Sequence, residues 1–162
     1  SFAMSSPLAS HLVNQLVMTK GFFARSIDVL EEKDSTFVPR PEMMSVAQQV
    51  AHVAQTIDWF REGMVCPTGF DMDFSAHIAA VAKITSLKDA RDWHQRANDA
   101  LIEQIQKMSE AELNQPLPPG PVMGGAPRMT VVGGIDDHTA HHRGVLTVYS
   151  RLLGKVPHMP YM

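Results

Sequence analysis

The chain has 162 residues, 44% of them hydrophobic, with 17 acidic and 14 basic side chains and a formal net charge of -3. A chain of this length buries about two thirds of its unfolded surface, so it needs no staple, and its apolar content excludes intrinsic disorder. No Lys/Arg run exceeds a pair, which argues against nucleic acid and an anionic membrane surface as partners.

Cys66 is the single cysteine, so an intrachain disulfide and a cysteine-based zinc site are both excluded. No apolar run approaches the ~20 residues of a membrane-spanning helix, and the N-terminus lacks the pattern of a signal peptide. A cytoplasmic location is expected. Ser1, Phe2 and Ala3 stand before Met4 and are expected to be foreign to the natural chain, leaving residues 4–162 as a single domain.

Apolar residues recur at helical spacing in four long stretches, and no stretch keeps the alternation of a half-buried strand. The class is all-α, a four-helix bundle with long connections. The spacing of Leu12, Leu16, Phe23, Ile27 and Leu30 predicts a first helix from about Leu8 to Lys33, with Pro7 in a tolerated first-turn position. Val46, Val50, Val53, Ile57, Phe60 and Met64 predict a second from about Met44 to Met64, ended by Pro67 and Gly69. A short extra helix is expected within Asp71 to Ile84. Ser86 has the chemistry of an N-cap for a third long helix reaching about Ser109, with Asp89 at its third position. After a proline- and glycine-rich connection from Pro116 to Pro127, Thr130 opens a fourth helix that ends at Gly154, a natural residue for the position after a helix.

The histidines carry the chemistry. His138 and His142 are one turn apart on the fourth helix, at about 0° and 40° on a helical wheel. Val131, Tyr149, Val145 and Ile135 share that side, while Asp136, Ala140, Arg143, Thr147 and Arg151 form the opposite one. Two imidazoles facing a core can converge on one ion about 2.0 Å from each nitrogen. Thr139, rather than Glu, follows His138, so the general base of the HExxH zinc proteases is absent.

Two ligands rarely suffice. His52 lies as deep in its helix as His138 does in its own, and the two meet if those helices run parallel as neighbours. Its wheel position, about 120° from the Val46/Val50/Val53/Ile57 ridge, fits a pocket wall as well as a ligand. His94 shares the apolar face of the third helix, but in an alternating bundle it stands at the far end, which favours a structural role. His141 reads as a neighbour of the ligands or an interface residue, and His11, His77 and His158 as surface or loop residues. Cys66 has no neighbour in sequence that would activate its thiol. The eleven methionines read as bundle filling. Gly133-Gly134 is not a phosphate loop, because no strand precedes it.

The run Asp137-His138-Thr139-Ala140-His141-His142-Arg143-Gly144, followed by Leu146, Tyr149 and Arg151-Leu152-Leu153-Gly154-Lys155-Val156-Pro157, resembles the C-terminal signature of the DinB/YfiT-like superfamily. Ser45-Val46-Ala47-Gln48-Gln49-Val50-Ala51-His52-Val53 resembles the same family's helix-two motif. The resemblance implies a four-helix bundle, commonly a homodimer, with His52, His138 and His142 binding a divalent ion. Zn or Ni are the first expectations for that ion, with Fe and Mn as alternatives. It also implies a small-molecule substrate and, in members of known activity, a low-molecular-weight thiol as co-substrate. One departure stands out: Val145 occupies the position where the family often has Gln after Arg-Gly.

Two functions follow as expectations. The first is a metal-dependent, thiol-using transferase, or a hydrolase or isomerase, built on the three histidines. The second is a non-catalytic metal-binding helical dimer with a stress-response or binding role.

Overall fold

The computed structural model describes residues 4–162; Ser1 to Ala3 lie outside the described residues. Six α-helices follow one another: α1 (Pro7–Ile27), α2 (Val46–Val65), α3 (Phe74–Ala82), α4 (Leu87–Gln106), α5 (Glu110–Asn114) and α6 (Thr130–Leu152). There is no strand among the described residues, only an isolated bridge between Pro116 and Pro127. The fold is an all-α four-helix bundle made by α1, α2, α4 and α6. Among the described residues, no helix is long and apolar enough to cross a membrane.

Local chemistry sets the helix ends. Ser6 caps α1, accepting from the Ala9 N–H at 3.0 Å, and Pro7 follows in the first turn, where its missing N–H costs nothing. Ser45 and Gln48 form a reciprocal capping box on α2. Ser86 caps α4 through the Asp89 N–H. Gly154, at φ 76°, takes the left-handed conformation that ends α6.

Two boundaries differ from the sequence reading. The first helix stops at Ile27, and Glu32–Asp34 form a separate 3-10 turn. Arg91 explains the break: its guanidinium donates to the carbonyls of Ile27 at 2.9 Å and Leu30 at 3.1 Å, satisfying groups that a longer helix would have paired itself. A second short helix, α5, also appears beyond the expected one, opened by a capping box between Ser109 and Glu112 and anchored by the buried Leu113.

Around the bundle, α1 adjoins α6 and α4, and α2 adjoins the same two, so α1 and α2 are diagonal, as are α4 and α6. Directions follow from the contacts. Ser5 at the start of α1 reaches the Gln106 carbonyl at the end of α4, making that pair antiparallel. Gln15 and Thr19 meet Asp136 while Arg25 meets the Pro160 carbonyl, so α1 and α6 are parallel. The first turns of α2 and α4 both hang on Ser35, which accepts from the Ala47 N–H at 3.0 Å and the Leu87 N–H at 2.9 Å. Helices α2 and α4 are therefore parallel, and the order is up-down-down-up rather than alternating. The segment containing α3 makes this possible by running back along α2 from its end to the start of α4.

Helix α2 is enclosed from several directions by α4, α6 and α3, and twelve of its twenty residues are buried. A wheel with one apolar face and one polar back does not describe such a helix.

Candidate metal centre

The structure brings His52, His138 and His142 together, with one ring nitrogen from each inside a cluster no wider than 4.8 Å. Ring centroids are 4.8 Å apart for His52 and His138, 4.6 Å for His52 and His142, and 4.5 Å for His138 and His142. The Nε2 atoms of His138 and His52 are 3.0 Å apart. His142 is buried at 8% exposure, and the other two are half-buried.

The three meet for a different reason from the parallel pairing expected. Helices α2 and α6 are antiparallel: the Tyr149 hydroxyl reaches the Met44 carbonyl at one end, and Phe60 packs by Gly134 at the other. His52 is seven residues into α2 and His138 nine into α6, and it is their positions near the level of the crossing that join them. The buried side of α6 carries Val131, Val132, Ile135, Thr139, His142, Leu146, Tyr149 and Ser150, which places its centre about 70° from His138. His138 thus marks the edge of the core, where the bundle opens. The side read as a polar back is partly covered: Asp136 by α1, and Arg143 by Tyr161 of the C-terminal tail.

Burial disfavours charge on all three rings. It lowers the pKa of His52, with the nearby His141 adding to the effect. It lowers His138 to about 4, helped by His52 and His141 and opposed by Asp137. It lowers His142 to about 3, helped by the other three imidazoles. At neutral pH each presents a neutral ring, the form that coordinates a metal.

A hydrogen-bonded chain fixes the tautomer of His142. The Met44 carbonyl can only accept, so the Tyr149 hydroxyl donates to it at 2.9 Å; the Gln49 amide NH₂ then donates to the Tyr149 oxygen at 3.3 Å, and the Gln49 carbonyl accepts from Nδ1 of His142 at 2.7 Å. Nδ1 carries the proton, and Nε2 is left with its lone pair. A partner on the remote nitrogen is the usual support of a metal-binding imidazole. The donor set fits a divalent ion of the zinc or nickel kind: three neutral nitrogens, one of them with its tautomer locked.

Gln49 and Tyr149 were not singled out as functional from the sequence. The signal was there for Gln49, three residues before His52 and therefore one turn away on the same helix. Tyr149 is recognisable as a support only once α6 is laid against the start of α2.

His94 stands apart from the cluster. It is as deep in α4 as His52 is in α2, so the expectation of an opposite end is wrong, but α4 and α6 are diagonal and His94 turns instead onto Phe23 of α1, 4.7 Å between ring centroids. Its Nε2 lies 3.2 Å from the Asn98 amide, and burial lowers its pKa to about 4. His141 is exposed and packs edge-on against His142 at 4.9 Å. His77 is half-buried by Asp71 in the wall of a cleft, not a free surface residue.

That cleft has a volume of about 840 Å³ and lies between α2, α3 and α6. His52 and His138 are among its lining residues, as are the apolar Trp59, Phe60, Phe74 and Ile78.

With the bundle and its histidines defined, the comparison with known proteins is decisive: the profile of the DinB superfamily matches residues 16–146. The chain belongs to the DinB superfamily. A DinB-like protein from Bacillus cereus shares the fold at a TM-score of 0.73 and 19% identity, covering 93% of this chain and 96% of that one. YfiT from Bacillus subtilis, described as a probable metal-dependent hydrolase with an unusual four-helix bundle topology, aligns at a TM-score of 0.69 and 15% identity, covering 96% of this chain and 93% of that one. No curated protein matches. At these identities the two structures establish a shared DinB fold.

Proposed function

We propose that this DinB-superfamily protein is a divalent-metal-dependent enzyme whose ion is held by His52, His138 and His142 and whose substrate enters the adjoining cleft. The observation that carries this reading is the position of the cluster: three neutral imidazoles, two of which line an open cavity. A site held by three protein nitrogens keeps open positions, as catalytic zinc sites do and closed structural ones do not. When bound, the ion supplies Lewis acidity toward a water or thiol sharing the cleft.

The chain's own residues do the rest. Gln49 and Tyr149 hold His142 in one tautomer, the apolar walls exclude water, and Asp137, which lines the cleft beside His138, is placed to accept a proton at its carboxylate. Thiol transfer to an electrophile is the reaction that the family resemblance favours. Hydrolysis is the second reading, and the likeness to YfiT, described as a probable metal-dependent hydrolase, supports it. A cluster opening on a cavity speaks against the non-catalytic dimer.

The experiment is elemental analysis of the purified protein with a chelator titration, followed by a panel of electrophiles and esters assayed with and without small thiols. One equivalent of divalent metal, lost in His138→Ala, is expected, together with turnover that depends on it. Metal content that survives His138→Ala would sink the assignment. Turnover equal with and without thiol selects hydrolysis over transfer.

A further inference from the structure

The walls of the cleft also specify the chemistry of what enters it. Helix α3 packs on α2, yet it leaves Phe74 49% exposed and Ile78 69% exposed, one turn apart and both lining the cavity. Beside Phe74, with ring centroids 6.3 Å apart, Trp59 is held in place: its indole N–H donates to the Asp71 carbonyl at 2.6 Å, and its ring leans on Phe70 at 4.6 Å and Phe60 at 5.0 Å. The result is a continuous apolar wall, anchored at Trp59 and with unburied area at Phe74 and Ile78. Exposed apolar groups arranged around a concavity of this size are the usual mark of a small-molecule site.

Charge adds the second constraint. None of the described residues lining the cleft is a lysine or arginine, and its one carboxylate is Asp137. His77 is engaged by Asp71, with Nε2 3.3 Å from the Asp71 carbonyl oxygen and 3.7 Å from its carboxylate. An anionic group settling on this wall would lose its hydration without gaining a cationic partner.

We propose that the cleft takes an uncharged molecule with a planar apolar body, which lies against the wall formed by Trp59, Phe74 and Ile78 and directs one end toward the three histidines. The orientation of its reactive end rests on the metal-dependent reading above; the preference for a neutral, apolar body does not.

Two fluorescent probes with the same ring system separate charge from shape: N-phenyl-1-naphthylamine, which is neutral, and 8-anilino-1-naphthalenesulfonate, which is anionic. The neutral probe is expected to bind the full-length protein at least roughly tenfold more tightly than the sulfonate, about the discrimination that one apolar contact provides in a pocket. Ile78→Lys, at a position exposed enough to leave the melting temperature unchanged, is expected to weaken the neutral probe roughly tenfold and to strengthen the sulfonate. His138→Ala should retain the neutral probe even if it loses metal, so failure of the metal assignment and failure of this one are distinguishable. Equal affinity for the two probes, no binding of the neutral one, or an Ile78→Lys variant that binds it as before would each overturn the proposal.

Discussion

At the scale of the residue, the centre depends on nitrogen lone pairs being aimed correctly as well as being close together. Gln49 touches no substrate in this arrangement; it positions His142 by accepting from Nδ1. Gln49→Ala is therefore expected to weaken divalent-metal binding by about 10- to 100-fold in a chelator competition, the usual cost of losing a partner to a coordinating imidazole, while Gln49→Glu, which still accepts, should recover most of it. His94 offers a separate test because it lies outside the cluster. Its folded-state pKa, about 4, is below the ordinary 6.5 because burial penalises the charged ring. The folded state thus resists protonation more than the unfolded chain does. The associated stability is fully present above pH 6.5 and is lost as the pH falls toward 4, on the order of 2 to 3 kcal/mol. Urea titrations from pH 7.5 to 4.5 should show that decline, and His94→Phe, which packs on Phe23 without titrating, should reduce its slope, the remainder coming from the likewise depressed His52, His138 and His142.

At the scale of the element, α1 ends where another helix supplies what its last turn lacks. Arg91→Ala removes what is, among the described residues, the only side-chain donor to the Ile27 and Leu30 carbonyls, leaving Ile27 the Leu30 N–H alone, and is expected to cost about 1 to 3 kcal/mol by urea denaturation. The cleft wall has a similar dependence on a missing side chain. A Cβ added at Gly63 would stand 2.1 Å from the Phe70 ring, so α2 is without a side chain there to let Phe70 pack beneath Trp59. Gly63→Ala forces that ring out, with an expected loss of about 1 to 3 kcal/mol and a measurable change in the Trp59 emission. Gly134 has the same kind of explanation, since a Cβ there would lie 2.9 Å from Phe60 and the glycine lets α6 pass close to α2 just before His138, whereas Gly133 faces open space.

At the scale of the whole molecule, the first and last helices are joined through Asp136, which accepts from Gln15 at 2.5 Å and from Thr19 at 2.6 Å. These bonds bridge more than a hundred residues of chain and fix the slide of α6 along α1, which in turn sets the level at which His138 and His142 meet His52. Asp136→Ala is expected to lower stability by about 2 kcal/mol and, by loosening the register of α6, to weaken metal binding as well; an unchanged metal affinity at reduced stability would show that α2 alone sets that register.

Much of this was legible in the residues because it depends on local chemistry. Ser45, Ser86 and Gly154 mark helix ends by rules that operate within four residues, and the one-turn spacing of His138 and His142 places them on one side of α6 in any fold that keeps that helix. The motif around His52 supplied the third member of the cluster through resemblance, where periodicity alone left it between ligand and wall. What the tertiary structure decided is everything that depends on who the neighbours are. The up-down-down-up order made α2 and α6 antiparallel and turned His94 away. Enclosure of α2 from several directions hid the meaning of its wheel. The Met44 carbonyl, in the segment just before α2, fixed the tautomer of His142 through Tyr149 and Gln49. Sequence determines which groups lie on the same side of a helix; only packing determines what that side meets, because its partners come from parts of the chain a hundred residues away.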